Sequence, residues 1–579
     1  MATSTQPLPD PGLLPDAEQS EREARASPEG ATAAAECPFI VGVLGHAGLD
    51  PDALPSLESM FVEFLKEVRR LLNHTEVRVI VGATCESDLL FVRAALESET
   101  HVEILLPGSL EPTVALNDLL LQRQVRCTVL TPRPVVSADS ASAEDPGTAH
   151  LAETLVRSSA LLLTLGDANL PRAVAHAATR RIFARADSAN DPASLLMVDL
   201  ADETAAENAS VRWTPAGTAA TGAAAAMPPH LAQELADLDT YNRCFQRLRA
   251  AGRLDAPDSL LAAVPADTPV PDRPELAAID AEYGKADALA IHYQERSDQL
   301  FALFAALAFT MGLAYLTYDK LAHRSPLLVG YLVVLVCSFV LYYGLRGQRW
   351  FVKHLTYRTL AETLRVTFYL RLAGVGEHLD AARVLALSGI NRFRGFSVIT
   401  HVLAALAAER DREALDALDR ASRSRCVQML WIEGQYRYFM AKVAQLKRKG
   451  RRVTLLKNAL FVFILLVIVA MCVSDQALEE NRVAAGISLK NLVTFVEGLL
   501  ALLLGAWQLH DNHKASRELL LQYRNQGAHF ARARRQLSRH VVGKHHDHVL
   551  VELGRDSLME SYLWAIHGYH RQHEPAGKH

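Results

Sequence analysis

"IVGVLGHAGLDPDALP", residues 40–55, decides the reading of the fold. An uninterrupted apolar run meets a Gly45-His46 turn, and an amphipathic helix follows from Leu57 to Leu72. Apolar runs without alternation mark strands covered on both faces, so the sheet is expected to be mostly parallel with helices on each side. The same rhythm continues through "VRVIVGA", a helix over Leu89–Leu96, "HVEILLP", "RCTVLTP", "ALLLTLGD" and "SLLMVDL". Residues 37–202 therefore read as an α/β Rossmann-like domain. Such sheets bind ligands at the carboxyl ends of their strands. Here those ends carry Gly45 and His46, Gly82 and Ala83, and Gly166 and Asp167. Of these, Gly45, His46, Gly82, Gly166 and Asp167, together with Asp88 and Arg172, are the ligand-binding candidates. Capping roles suit His46 and Asp88 equally well.

The second half of the chain follows a different pattern. Residues 300–318 contain no charge, and 326–345 repeat this after the turn "DKLAHRS". Residues 458–474 ("NALFVFILLVIVAMCVS") and 491–507 form a second pair around "DQALEENRVAAG". Runs of this length span roughly 30 Å of hydrocarbon at about 1.5 Å per residue. The expectation is an all-α membrane region of four transmembrane helices in two hairpins, with further helices in the cytoplasm. Lys and Arg prefer the cytoplasmic side. Arg346, Arg349, Lys353 and Arg358 follow the second span; Lys447, Arg448, Lys449, Arg451, Arg452 and Lys457 precede the third; Lys514, Arg517 and Arg524 follow the fourth. Both termini are thus expected inside an inner or plasma membrane. Glu497 stands about two turns within the fourth span, and an intramembrane carboxylate normally faces a cavity, a partner or a water path. Lys490, seven positions earlier, falls on nearly the same helix face. A pore-lining ring in a homo-oligomer and a local Lys490–Glu497 pair both satisfy this spacing.

The remaining segments fall around these two units. Residues 1–36 are rich in Ala, Pro, Glu and Ser and are expected to be disordered. Residues 203–275 read as an irregular linker with one short helix near 231–248. "AAIDAEYGKADALAIHYQERSDQL" is expected to run as a helix straight into the first span, completing a unit over 276–375. Residues 376–446 and 536–579 read as cytoplasmic helices, and 447–535 as the second hairpin with its flanking helix. In 354–374, Tyr357, Leu360, Ala361, Leu364, Phe368 and Leu372 share a helical stripe, and Arg358 and Glu362 form an i,i+4 pair.

Composition narrows the function. A net charge of −5 offers no large positive field, which argues against nucleic acid as a partner. Seven scattered cysteines without a CxxC pair suit a reduced compartment without structural zinc. "HVVGKHHDHV" (His540, His545, His546, His548) matches no established zinc spacing, so no metal site is assigned. There is no GxSxG, P-loop or HExxH, so no catalytic residue is assigned.

"GHAGLDPDALPSLESMFVEFLKEVRRLL", "VIVGATCESDLLFVRAALESETHVEILLP" and "SSALLLTLGDA" together resemble the Rossmann-like SLOG domain over about 160 residues. That resemblance implies a nucleotide-derived ligand and a sensing role, often in bacterial conflict systems. No further cofactor is implied. The chain departs from the pattern at Ala47, at Cys85 and Glu86, and in "GDANLPRAVAHAATRR", which lacks the Gly-Gly-Thr phosphate loop. Arg172, Arg180 and Arg181 could supply positive charge there. "HLTYRTLAETLRVTFYLRLAG" resembles the juxtamembrane signature of SLATT and DUF4231-like two-helix effectors, whose tyrosine-arginine and alanine-glutamate-x-leucine-arginine motifs fall on Tyr357, Arg358, Glu362 and Arg365. "SRELLLQYRNQGAHFARARRQL" is a looser counterpart. The resemblances imply a ligand sensor coupled to a membrane channel or pore. A membrane-anchored nucleotide hydrolase and a degenerate SLOG scaffold in a structural assembly are the alternatives.

Overall fold

The computed structural model describes residues 37–573, apart from 45–53, 84–85, 108–113, 131–150, 152–153, 156, 165–195, 200–211, 216–226, 228, 255–257, 266–273, 377, 409–419, 474–487, 514–515 and 539–542. Seven strands form one sheet: β1 Phe39–Leu44, β2 Val77–Gly82, β3 His101–Pro107, β4 Val125–Leu130, β5 Leu161–Thr164, β6 Leu196–Asp199 and β7 Arg212–Pro215. Their order is β4-β3-β2-β1-β5-β6-β7, parallel except for β7, which pairs antiparallel with β6. Phe39, Ile40, Val41 and Val43 are all buried, the signature of a central strand covered on both faces. Helices α1 (Leu54–Leu71), α2 (Glu86–Glu97) and α3 (Val114–Leu120) join the first four strands. Leu57, Phe61, Phe64, Leu65 and Val68 give α1 its buried stripe, each worth about 1.5–3 kcal/mol when removed from water. The chain builds β1 to β4 in one direction and returns to place β5 on the other side of β1. The reversal makes the carboxyl ends of β1 and β5 a topological switch point, and Leu44 and Thr164 are register partners there.

The stretch 203–275, read from sequence as a linker with one short helix near 231–248, supplies that helix as α4 (Pro229–Ala250) and also β7. Leu231, Leu235, Leu238, Tyr241 and Phe245 of α4 are buried, so this helix is part of the core rather than a tether. α5 (Pro274–Lys320) is continuous for 47 residues, about 70 Å. Its first half is packed down to Tyr293, and its second half is apolar and exposed. α6 (Ser325–Arg346) returns, and α7 (Trp350–Leu372) lies antiparallel along the packed half of α5. All six residues of the Tyr357–Leu372 stripe are buried.

Helices α8 (Ala381–Ser388), α9 (Ser397–Ala408), α10 (Arg420–Val427) and a π-helical turn (Gln428–Glu433) lead into α11 (Gly434–Val473). α12 (Leu489–His513), α13 (Ser516–Leu537) and α14 (Lys544–His573) complete the chain. Trp431 in the π turn is buried, stacks on Tyr369 and meets Phe530 edge-on. Among the described residues four helices are long and apolar enough to cross a membrane, within 274–320, 325–345, 420–473 and 489–508. They match the four expected spans, of which only Ser474 lies outside the described residues. Spans one and four meet most closely: Leu502 lies over Gly312 and Leu316 over Gly498. Small residues let membrane helices approach in this way.

Candidate functional site

Three candidate regions stand out. The first is the carboxyl edge of the sheet. Among its predicted residues only Gly82 and Asp88 belong to the described residues; Gly45, His46, Gly166, Asp167 and Arg172 lie outside them. A side chain on Gly82 would reach 3.0 Å from Leu151 and 3.2 Å from Leu155. A Cβ there would make the two leucine side chains give by a few tenths of an ångström, so the glycine has a packing role of its own. Asp88 is fully buried and partnered in the first turn of α2, where negative charge suits the helix dipole.

The second region lies between α5 and α7. Arg371 with Glu275, Arg365 with Tyr283, Arg358 with Asp287 and His354 with Ala290 pair in opposed order along the two helices. Arg358 holds Asp287 at 3.1 Å and Glu362 at 2.5 Å. Arg365 spans both Glu362 oxygens at 3.0 Å and donates to the Tyr283 hydroxyl at 2.8 Å. Burial opposes the Glu362 carboxylate, but Arg365 and Arg358 outweigh it and hold its pKa below the ordinary value. The sequence suggests an isolated i,i+4 pair; the structure makes it one edge of a four-charge network that ties α7 to the helix of the first span. Tyr357 is buried beside the rings of Tyr241 and Tyr293.

From α5 to the amino edge of the sheet runs a buried polar chain that sequence reasoning missed. Asn242 donates to the Cys37 carbonyl at 3.0 Å and to Thr75 Oγ1 at 2.9 Å. Asp239 accepts from the His74 amide at 2.5 Å and from the Thr75 hydroxyl at 3.3 Å. Lys285, 1 % exposed, donates to Asn242 Oδ1 at 2.7 Å and Glu282 at 3.2 Å, with its Nζ 4.3 Å from the centre of the Tyr241 ring. Tyr241 in turn donates to the other Glu282 oxygen at 2.8 Å, and burial together with Glu282 keeps that phenol protonated. Cys37 precedes β1 and Thr75 precedes β2, so the helical layer grips the amino edge of the sheet. Phe39 against His401 of α9 adds an apolar contact at that edge. A polar run in 239–242 facing a lysine in an Ala-rich helix is a weak signal, because each half alone resembles a solvated surface.

Glu497 lines a groove between α11 and α12 that is otherwise apolar, formed with Phe463, Val467, Val493, Val496 and Leu500. The carboxylate is half-buried and has no hydrogen-bonding or ionic partner among the described residues. Lys490 has an interaction of its own, and no Lys490–Glu497 ion pair is present among the described residues. His546 is buried against Ser424, whereas His548 pairs with Glu552; His540 lies outside the described residues. Among the described residues no group of three His, Cys, Asp or Glu is placed to hold a metal. Comparison of the chain with protein-family models, curated proteins and solved structures finds no match.

Proposed function

We propose that the sheet domain is a cytoplasmic receptor for a nucleotide-derived ligand, and that its occupancy controls a homo-oligomeric channel or pore built from the four spans. Cytoplasmic placement rests on the Lys and Arg excess beside the near ends of the spans. The observation that carries the reading is the unbroken polar chain Cys37/Thr75–Asn242–Lys285–Glu282, which bonds the sheet to the helix that becomes the first span. A buried network fixes relative position more firmly than an apolar contact, because a half-satisfied version is costly. A ligand that binds two arrangements of the sheet domain with different affinity therefore shifts the position of α5. Glu497, unpaired in the membrane zone, is the residue assigned to the conduction path.

Planar-bilayer recording with the full chain tests this. Current that depends on a nucleotide and changes in Glu497→Gln is the expected result. Silence under a broad nucleotide panel, with the variant indistinguishable from wild type, overturns it. Mass spectrometry on the same incubations separates a sensor from a hydrolase, since only the latter releases product.

A further inference from the structure

The 40 residues of α11 carry eight Lys and Arg and no Asp or Glu. Five of these cations, Lys447, Arg448, Lys449, Arg451 and Arg452, are consecutive or nearly so and exposed. None of the five has an acidic partner among the described residues. Glu433, the residue just before this helix, is already held by Arg437 and Arg534. The level of the membrane surface is marked just above the cluster. Lys457 donates to Gln508 at 2.9 Å and lies 5.9 Å from the centre of the Trp507 ring, at the ends of spans three and four. Trp and Lys in such positions sit at headgroup depth. Along the helix, Arg452 lies about 7 Å and Lys447 about 15 Å below Lys457. Arg448, Lys449 and Arg452 rim a shallow strip with Ala441 and Ala444 at its floor.

We infer that this face of α11 docks the phosphate headgroups of anionic phospholipids in the adjoining leaflet. The inference rests on the membrane reading of the spans and not on any ligand of the sheet domain. Charge complementarity and position select the occupant: unpaired cations begin within one Debye length, about 8 Å, of the headgroup plane. A cation at that depth is worth about a fivefold gain in local anionic lipid, and those farther down the helix add less.

Spin-labelled phosphatidylglycerol and phosphatidylcholine, compared in vesicles containing the full chain, test it through the fraction of label immobilised at the protein. Wild type is expected to prefer phosphatidylglycerol by about fivefold or more. The preference should collapse at ~1 M salt, where the Debye length is about 3 Å. The variant with Lys447, Arg448, Lys449, Arg451 and Arg452 all changed to Gln should insert normally and show no preference. A control with Lys66→Gln, Arg70→Gln and Arg93→Gln on the sheet domain should behave as wild type. Equal selectivity in wild type and the fivefold variant overturns the inference. So does selectivity that vanishes when chains are diluted to one per vesicle, which would make a second copy the occupant. Failure of wild type to insert into neutral vesicles would instead overturn the membrane reading.

Discussion

Lys285 has three ammonium protons to place inside the protein, and it places them on Asn242, Glu282 and the face of Tyr241. The stability of that arrangement lies in its completeness. Lys285→Ala strands the Glu282 carboxylate, which is only 7 % exposed, and should cost about 3–5 kcal/mol. Lys285→Met with Glu282→Gln removes both charges and should recover most of it. Denaturant unfolding in nanodiscs measures both; an equal loss in the two variants would show that the stranded charge is not the source. His354 provides a pH handle at the same scale. Its Nδ1 donates to the Ala290 carbonyl at 3.0 Å, so the ring carries its proton there. Burial, reinforced by Arg358, holds its pKa down at about 4, against an ordinary 6.5. The folded state thus binds fewer protons than the unfolded state between these values. Stability from this residue is complete above pH 6.5 and is lost as pH falls towards 4, on the order of 3 kcal/mol in all. A melting series over that window should show the decline, and His354→Gln, which keeps a donor for Ala290, should flatten it.

At the scale of elements, the two membrane hairpins are joined by close approach rather than by charge. A side chain on Gly312 would lie 2.6 Å from Leu502, and one on Gly498 would lie 2.8 Å from Leu316. Gly498→Leu should therefore push span four from span one at a cost of about 1–3 kcal/mol, whereas Gly330→Leu and Gly505→Leu, which face open space, should be neutral. Distances between spin labels on α5 and α12 would report the separation; an unchanged distance in Gly498→Leu removes the argument. The elements themselves were largely legible in sequence. Charge-free runs and the 3.6-residue stripe of α7 are signals summed over many residues, so the spans, the continuity of α5 and the buried Tyr357–Leu372 face follow from them. α4 was legible as a short helix near 231–248, but its burial and β7 were not, since the stretch is dominated by Ala, Pro and Thr and the burial of Asp239 and Asn242 depends on partners distant in sequence. The same holds for Lys285 and Glu282, whose i,i+3 spacing suits solvent equally well. At the carboxyl edge, Gly82 shows the limit of motif reading: a glycine expected beside a ligand also has a packing reason in Leu151 and Leu155.

At the scale of the molecule, the geometry constrains how a sensor could act. The helical layer holds the amino edge of the sheet at Cys37 and Thr75, while ligands of such folds bind at the carboxyl edge, six residues and about 20 Å away. No described side chain reaches from one edge to the other, so a signal has to travel as displacement of the sheet as a body, with α4 as the lever between sheet and α5. Among the described residues Asn242 hydrogen-bonds to both, through Cys37 and Thr75 on one side and Lys285 on the other. Asn242→Leu deletes its bonds to Cys37, Thr75 and Lys285 but leaves the carboxyl edge intact. In the proposed scheme this variant binds nucleotide with an affinity changed by no more than the coupling factor, typically about 5–150-fold, yet loses the ligand dependence of its current. Calorimetry and bilayer recording on the same preparation measure the two quantities separately. Retention of ligand-dependent current in Asn242→Leu would transfer the coupling to the apolar contact of Phe39 with His401, which Phe39→Ala then tests. Loss of both would locate the coupling in neither contact and leave the sheet domain a scaffold.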